Sequence, residues 1–335
     1  MLTPPLLLGD YLERFFRDRL QTQRQVSIHT LHAYRDALGL LVTFAAARAH
    51  TTPERLTLAQ MDDEVVLAFL AHLEQTRGNK VRTRNARRAA LRVFYQYVGY
   101  LDPSALGIVH RVLAIPSKRD ARPAFEYLTP DELHAVLAVP DRQSVWGRRD
   151  YALLLFLATT GARVSEALAA QPCDIHWDGK PYVRLLGKGR KARLVPLRRE
   201  VVPVLQQLCE ERGLPVSTPT PLFVSHTGRP LTRHGVGHLV RRVVHQACAR
   251  CPALAGRSIT PHTFRHTTAM GLLQAGVDLT VIRNWLGHVN LETTHWYLEA
   301  DLAMKERALE QSGVVPVQQS RYRPPDKVLA FLESL

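Results

Sequence analysis

The stretch ITPHTFRHTTAM, residues 259–270, sets His262, Arg265 and His266 within little more than one turn of a predicted helix. Thr260 is a natural N-cap, Pro261 suits the first helical position, and Gly276 ends the run. Residues i and i+3 share a face, so His262 and Arg265 point the same way. Three cationic or near-cationic groups this close repel one another and are costly to bury. Such a cluster binds a metal, binds an anion, or decorates a solvated surface. A zinc helix of the metalloprotease kind fits poorly: His262 and His266 have i,i+4 spacing, but Thr263 stands where that motif carries Glu. Anion binding fits better, because a guanidinium forks two hydrogen bonds onto a phosphate and an imidazole adds a donor or takes a proton.

Working outward, the whole chain is basic. Its 335 residues hold 44 Lys and Arg against 30 Asp and Glu, a formal net charge of +14. That excess favours a polyanionic partner, and nucleic acid is the usual one; a merely basic soluble protein is the plainer alternative. A hydrophobic fraction of 46% with 22% charged residues is a globular balance, at a length sufficient for two domains. Cys173, Cys209, Cys248 and Cys251 are too few for a disulfide framework in a chain of this size. His245, Cys248 and Cys251 have zinc-like spacing, yet without a second pair buried thiols are the better reading, and neither metal nor cofactor is expected. The opening MLTPPLLLGD has no basic leader segment, and the longest apolar run, YALLLFLAT at 151–159, is too short for a bilayer. A cytoplasmic protein with no membrane partner is expected.

Residues 10–100 read as helical. TLHAYRDALGLLVTFAAARA (30–49) places Leu31, Tyr34, Leu38, Leu41 and Val42 at helical spacing, and DDEVVLAFLAHLEQTR (62–77) is a second helix capped by Asp62 or Asp63. Then RGNKVRTRNARRAALRVFYQYV (77–98) carries Arg77, Lys80, Arg82, Arg84, Arg87, Arg88 and Arg92 with no acid among them. Leu91, Phe94, Tyr95 and Val98 form an apolar half that can pack while the basic residues face outward. A solvated basic face is the plain alternative. Uncompensated like charges repel one another, so a phosphate-facing surface is the reading preferred for these DNA-binding candidates. Residues 114–127, AIPSKRDARPAFEY, lack periodicity and carry two prolines, the composition of a linker.

A second unit starts at LTPDELHAVL (128–137), where Thr129, Pro130 and Glu132 make a capping box with proline at the first helical position. It runs helix, helix, hairpin, then helices. KPYVRLLGKGRKARLVPL (180–197) gives two short apolar strands around a Gly-rich basic turn with Lys188 near its tip, and it lacks the P-loop pattern. In TTGARVSEAL (159–168), Glu166 lies three residues after Arg163, so its carboxylate can orient the guanidinium. Asp278 and Gly287 bracket a short helix containing Leu279, Ile282, Trp285 and Leu286, and Asn290 can cap the next, which carries Tyr297. Two arginines, two histidines, a hairpin lysine and a tyrosine in a basic protein suit phosphoryl transfer without a metal.

In this combination the chain resembles the tyrosine recombinases of the phage-integrase family, over nearly its whole length. Arg163 in GARVSE matches the first catalytic arginine, Lys188 the hairpin lysine, and His262 and Arg265 in HTFRH the H-x-x-R box. His288 in WLGH matches the second histidine, and Tyr297 follows nine residues later as the nucleophile. Ala162 and Phe264 depart from commoner residues without changing polarity, and HWYLEAD differs from the commoner ending after the tyrosine.

The resemblance implies a mostly α, α+β architecture. Residues 1–113 would be a SAM-like helical core-binding domain, 114–127 a linker, and 128–312 a mixed catalytic domain with a small β-hairpin. Residues 313–335 would be a tail with a short helix that folds back on its own catalytic domain or, as in related recombinases, docks on a neighbouring subunit. It implies a site-specific recombinase that cleaves DNA through a 3′-phosphotyrosine, in integration, excision, resolution or transposition. The implied assembly is a tetramer on two double-stranded DNA sites, alone or with other recombinases. Arg163 and Arg265 would stabilise charge on the phosphate, with Glu166 in support; His262 would serve as base, Lys188 as acid, and His288 as a hydrogen-bond donor. A type IB topoisomerase, or a DNA-binding accessory factor with a silent site, are the competing readings.

Overall fold

The computed structural model describes residues 7–120, 126–187 and 191–287. Lys188, His288, Tyr297, the predicted helix after Asn290 and the predicted tail at 313–335 lie outside the described residues. The chain divides into two units, Met1–Pro123 and Ala124–Leu335.

In the first unit, α1 (Leu8–Arg14) runs directly into a π-helical stretch, Phe15–Gln23, followed by α2 (Ile28–Arg48), α3 (Asp63–Gln75), α4 (Val81–Leu101) and α5 (Leu106–Ala114). Short polar side chains set the helix starts. Ser27 Oγ accepts the Thr30 N–H at 3.2 Å, and Asp62 Oδ1 accepts the Val65 N–H at 3.0 Å, which makes Asp62 rather than Asp63 the cap of α3. Leu38, Leu41 and Ala45 from α2, Phe69, Leu70 and Leu73 from α3, and Leu91, Phe94, Tyr95 and Val98 from α4 bury one core, each set repeating at i+3 or i+4.

The second unit begins with α6 (Pro130–Leu137), α7 (Val145–Thr160) and α8 (Val164–Ala169). The α6 capping box forms reciprocally: Thr129 N–H donates to Glu132 Oε2 at 2.8 Å, and Glu132 N–H donates to Thr129 Oγ1 at 3.3 Å. Strands β1 (Ile175–His176), β2 (Tyr182–Leu186) and β3 (Ala192–Pro196) make an antiparallel sheet in that order. Val183 pairs with Val195 and Leu185 with Arg193. The two-residue β1 goes beyond the predicted hairpin, since a strand that short has no readable period. Helices α9 (Val201–Glu211), α10 (Arg233–Ala247), α11 (Pro261–Gln274) and α12 (Leu279–Leu286) follow.

Helix α7 is the spine of this unit. Ala152, Leu153, Leu154, Phe156 and Leu157 are all buried, so it is apolar nearly all round, as a central helix must be. It ends at Gly161, whose φ of +62° suits glycine, and a Cβ there would lie 2.7 Å from Leu286 Cδ2. Helix α11 lies against it, with Thr268 Oγ1 donating to Ala158 O at 2.8 Å. Asp278 caps α12 through the Thr280 N–H at 2.7 Å, and Gly287 closes it with φ of +65°.

Candidate active site

Four segments bring the site together: the α7–α8 turn, strand β3, the start of α11 and the end of α12. Arg163 is the N-cap of α8. Glu166, one turn on, accepts the Arg163 backbone N–H at 2.8 Å on Oε2 and Arg163 Nη1 at 2.8 Å on Oε1. The spacing read in the sequence thus produces the ion pair expected of it. Glu166 is also held by a residue the sequence reading missed. Arg193, on β3, donates Nη1 to Oε1 at 3.0 Å and Nη2 to Oε2 at 2.7 Å. Burial would raise the Glu166 carboxyl, but Arg193, the Arg163 N–H and the Arg163 guanidinium together hold it below the usual carboxylate range.

The carbonyls at the end of α12 receive three different arginines. Trp285 O accepts from Arg193 Nε at 2.8 Å, Leu286 O from Arg265 Nη2 at 2.5 Å, and Gly287 O from Arg163 Nη2 at 3.1 Å. A helix C-terminus carries partial negative charge and unpaired carbonyls, so it suits cations. Arg265 also donates Nη1 to Gly161 O at 2.8 Å and is almost fully buried. Its role in the fold is therefore to fasten α11 to the ends of α7 and α12. Trp285 Nε1 adds a bond to Thr160 O at 3.1 Å.

Arg163, with 34% of its side chain exposed, lines a cavity of about 350 Å³ together with Val164, Ser165, Arg233, Pro261 and His262. Arg233, an exposed residue at the first position of α10, is a further cation that sequence reasoning passed over. A basic residue directly after the helix cap Thr232 was the available signal.

The crowding of His262, Arg265 and His266 is relieved by neutrality. Burial, then the Arg265 and Arg163 charges, push His262 below its ordinary imidazole value. Burial, then His262 and Arg265, push His266 down to about 4. The two rings meet edge to face with centroids 4.5 Å apart. At neutral pH His262 is thus an unprotonated imidazole between guanidinium charges, able to accept a proton. Among the described residues, no group of three or more His, Cys, Asp or Glu is placed to hold a metal ion.

The basic residues of the first unit separate into two sets. Arg77, Lys80 and Arg82 are exposed and Arg87 is half-buried. Arg84, Arg88 and Arg92 stand at i, i+4 and i+8 on one face of α4 and turn inward. Arg84, 5% exposed, donates to Asn85 Oδ1 at 3.0 Å and to Pro116 O at 3.4 Å; Arg88 Nε donates to Ile115 O at 2.7 Å, and Arg92 Nη1 to Leu113 O. Desolvation, then Arg92 and Arg84, lower the Arg88 pKa. The outward-facing expectation is corrected for Arg84, which is buried, while Arg88 and Arg92 are half-buried; all three satisfy carbonyls at and just beyond the C-terminus of α5. The sequence could show the shared face but not the helix end it would meet. Nor are the charges without acids nearby, since Glu74 lies 3.9 Å from Arg84 and 2.6 Å from Lys118.

Comparison with known proteins agrees with the geometry. Residues 126–304 match the model of the phage integrase family, and residues 12–98 match the phage integrase N-terminal SAM-like domain. The chain is 43% identical to the putative integrase/recombinase y4rC of Sinorhizobium fredii over the full length of both. It is 35% identical to the tyrosine recombinase XerC of Pelobacter propionicus, over 86% of this chain and 90% of that one. Its fold resembles that of the Tn1549 transposon integrase, solved in complex with transposon right end DNA. The TM-score is 0.70 at 17% identity, over 90% of this chain and 99% of the other. With family models matched over residues 12–98 and 126–304 and a 43% identical relative matched over its full length, this chain belongs to the phage integrase family and is a tyrosine-type site-specific recombinase.

Proposed function

We propose that the cavity beside Arg163 receives the scissile phosphate of double-stranded DNA, and that Tyr297 attacks it to leave a 3′-phosphotyrosine and a free 5′-hydroxyl. The observation that carries this reading is the surplus of positive charge there. Arg163, Arg233 and Arg265 surround a neutral His262, while the acid Glu166 is already engaged by Arg163 and Arg193. Attack builds negative charge on the non-bridging oxygens. A preorganised donor that meets such charge is worth roughly 3 kcal/mol, because it need not reorganise during the reaction. His262 takes the phenol proton of Tyr297, Lys188 protonates the leaving 5′-oxygen, and His288 donates to the phosphate. The phosphotyrosine retains the ester's energy, so a partner strand's hydroxyl can rejoin it without ATP.

Exchange between two duplexes requires cleavage of four strands, and each cleavage occupies one tyrosine. The active assembly is accordingly four protomers on two DNA sites. Movement of a transposable element fits the likeness to a transposon integrase, and a cytoplasmic location fits a DNA substrate. Among the described residues, no helix is long and apolar enough to cross a membrane.

Covalent capture on nicked duplex DNA tests the reading. Wild type should form a protein–DNA adduct that Tyr297→Phe abolishes while binding stays nearly unchanged. Arg163→Ala should slow adduct formation by about 100-fold or more. Adducts that persist in Tyr297→Phe would sink the assignment, and relaxation of supercoils without site-dependent exchange would favour a topoisomerase.

A further inference from the structure

Arg193 is 10% exposed and uses three nitrogens on three acceptors: both carboxylate oxygens of Glu166 and the Trp285 carbonyl. Its guanidinium threads between two glycines. A Cβ on Gly287 would lie 3.2 Å from Arg193 Cδ and Nη1, and one on Gly187 would lie 3.4 Å from Glu166 Oε1 and 3.7 Å from Arg193 Nη1. Gly187 closes the hairpin through its N–H to Lys191 O at 2.9 Å, and Gly287 ends α12. Three separate pieces of chain thus converge on one buried side chain: the hairpin, the α12 terminus and the α8 carboxylate. Of the two arginines on Glu166, Arg193 makes two side-chain bonds and Arg163 one.

We propose that Arg193 is a positioning residue for strand cleavage. It fixes the Glu166 carboxylate and the end of α12, the two partners that aim the Arg163 guanidinium into the cavity. The inference rests on the assignment of that cavity to the scissile phosphate. Glu166 is a rigid tether for Arg163 only while it is ionised and held from its other side. Without Arg193 a buried carboxylate keeps one guanidinium where it had two, and the pull on Arg163 comes from a group free to rotate or to take up a proton. Lysine is no substitute, because a point charge on a flexible stem does not span two carboxylate oxygens and a carbonyl at once. The role is one of orientation, since Arg193 is buried behind Glu166 while Arg163 lines the cavity.

The test uses the full chain. A random-sequence library of nicked duplexes is captured covalently on wild type, and the selected duplex is made in two forms, with a normal phosphate and with a neutral methylphosphonate at the cleaved bond. Arg193→Gln and Arg193→Lys should slow adduct formation on the phosphate by on the order of 100-fold, the cost of misplacing a catalytic group by about 1 Å. Binding should stay within about threefold, because the phosphate-facing cations remain. The methylphosphonate has less charge for Arg163 to meet, so the defect should shrink there, in parallel with that of Arg163→Ala. Combining Arg193→Gln with Glu166→Gln should slow cleavage little beyond the single change, since both break the same link. Cleavage within threefold of wild type in both Arg193 variants would overturn the proposal, as would equal defects on both substrates. Should Arg193→Gln not fold, Arg193→Lys decides on the same criteria. Failure of wild type to capture any duplex would overturn the recombinase reading itself, an outcome separate from normal cleavage by the variants.

Discussion

His266 shows how a residue that looks cationic in the sequence is made neutral by its surroundings. Its depressed pKa has a defined consequence for stability. The unfolded chain binds the proton near the ordinary value of about 6.5 and the folded chain only near 4, so acid favours unfolding. This contribution to stability is intact above pH 6.5, falls as the pH drops through the window down to about 4, and is flat below it. Chemical denaturation at a series of pH values should therefore show a steeper loss between pH 6.5 and 4 for wild type than for His266→Gln; parallel curves would mean the ring is protonated in the fold. His262 is depressed in the same direction, so a cleavage step that uses it as base should keep its rate below pH 6.5, with His262→Gln losing it at every pH. Gly161 is the other residue whose identity is forced. Its left-handed backbone strains any side chain, and an alanine Cβ would displace Leu286 Cδ2 at 2.7 Å and crowd Thr268 Cβ at 3.3 Å. Gly161→Ala should cost about 1–3 kcal/mol in denaturant unfolding. It should also slow cleavage, because Gly161 O anchors Arg265.

Helices are legible in the sequence where local chemistry defines them. The Thr129–Glu132 box, the Asp278 cap and the Gly287 stop all act within one turn, so the amino-acid order alone identifies them, and it narrows the α3 cap to Asp62 or its neighbour Asp63. The Arg163–Glu166 pair is legible for the same reason. Arg193 is not, since its partners lie 27 and 92 positions away and nothing in KARLVPL separates it from a solvated strand residue. Helix α4 shows the same limit. Its apolar face follows from its periodicity, but the fate of its arginines depends on where α5 ends. Arg88→Ala should accordingly act on structure. With Ile115 O and its neighbours released, Lys118 and Arg119 should become faster trypsin sites and the first unit less stable, with the salt dependence of DNA binding little changed. Loss of salt dependence without faster cleavage there would return Arg88 to the DNA-facing set.

At the scale of the molecule, the charge of +14 has to be divided between cations that hold the protein together and cations left over for a polyanion. Arg84, Arg88, Arg92 and Arg193 belong to the first group by their carbonyl and carboxylate partners, while Arg265, bonded to Gly161 O and Leu286 O, also places its charge beside His262. Arg77, Lys80 and Arg82 belong to the second, being exposed, with Asp120 at 3.9 Å from Arg82 the weak exception. Each unit encloses its own apolar core, so changes in the exposed set should leave both cores intact. Neutralising a residue that touches a phosphate removes one released counterion, and the slope of log affinity against log salt falls by about 0.9 for each. The triple change Arg77→Ala, Lys80→Ala, Arg82→Ala should therefore flatten that slope by roughly 2 to 3 if all three face phosphates, with unfolding unchanged. Because these residues are remote in sequence from the catalytic motifs, the rate of adduct formation at saturating protein should stay near wild type. An unchanged slope would place the first unit's phosphate contacts on another surface, and a lower saturating rate would mean that the first unit also takes part in cleavage.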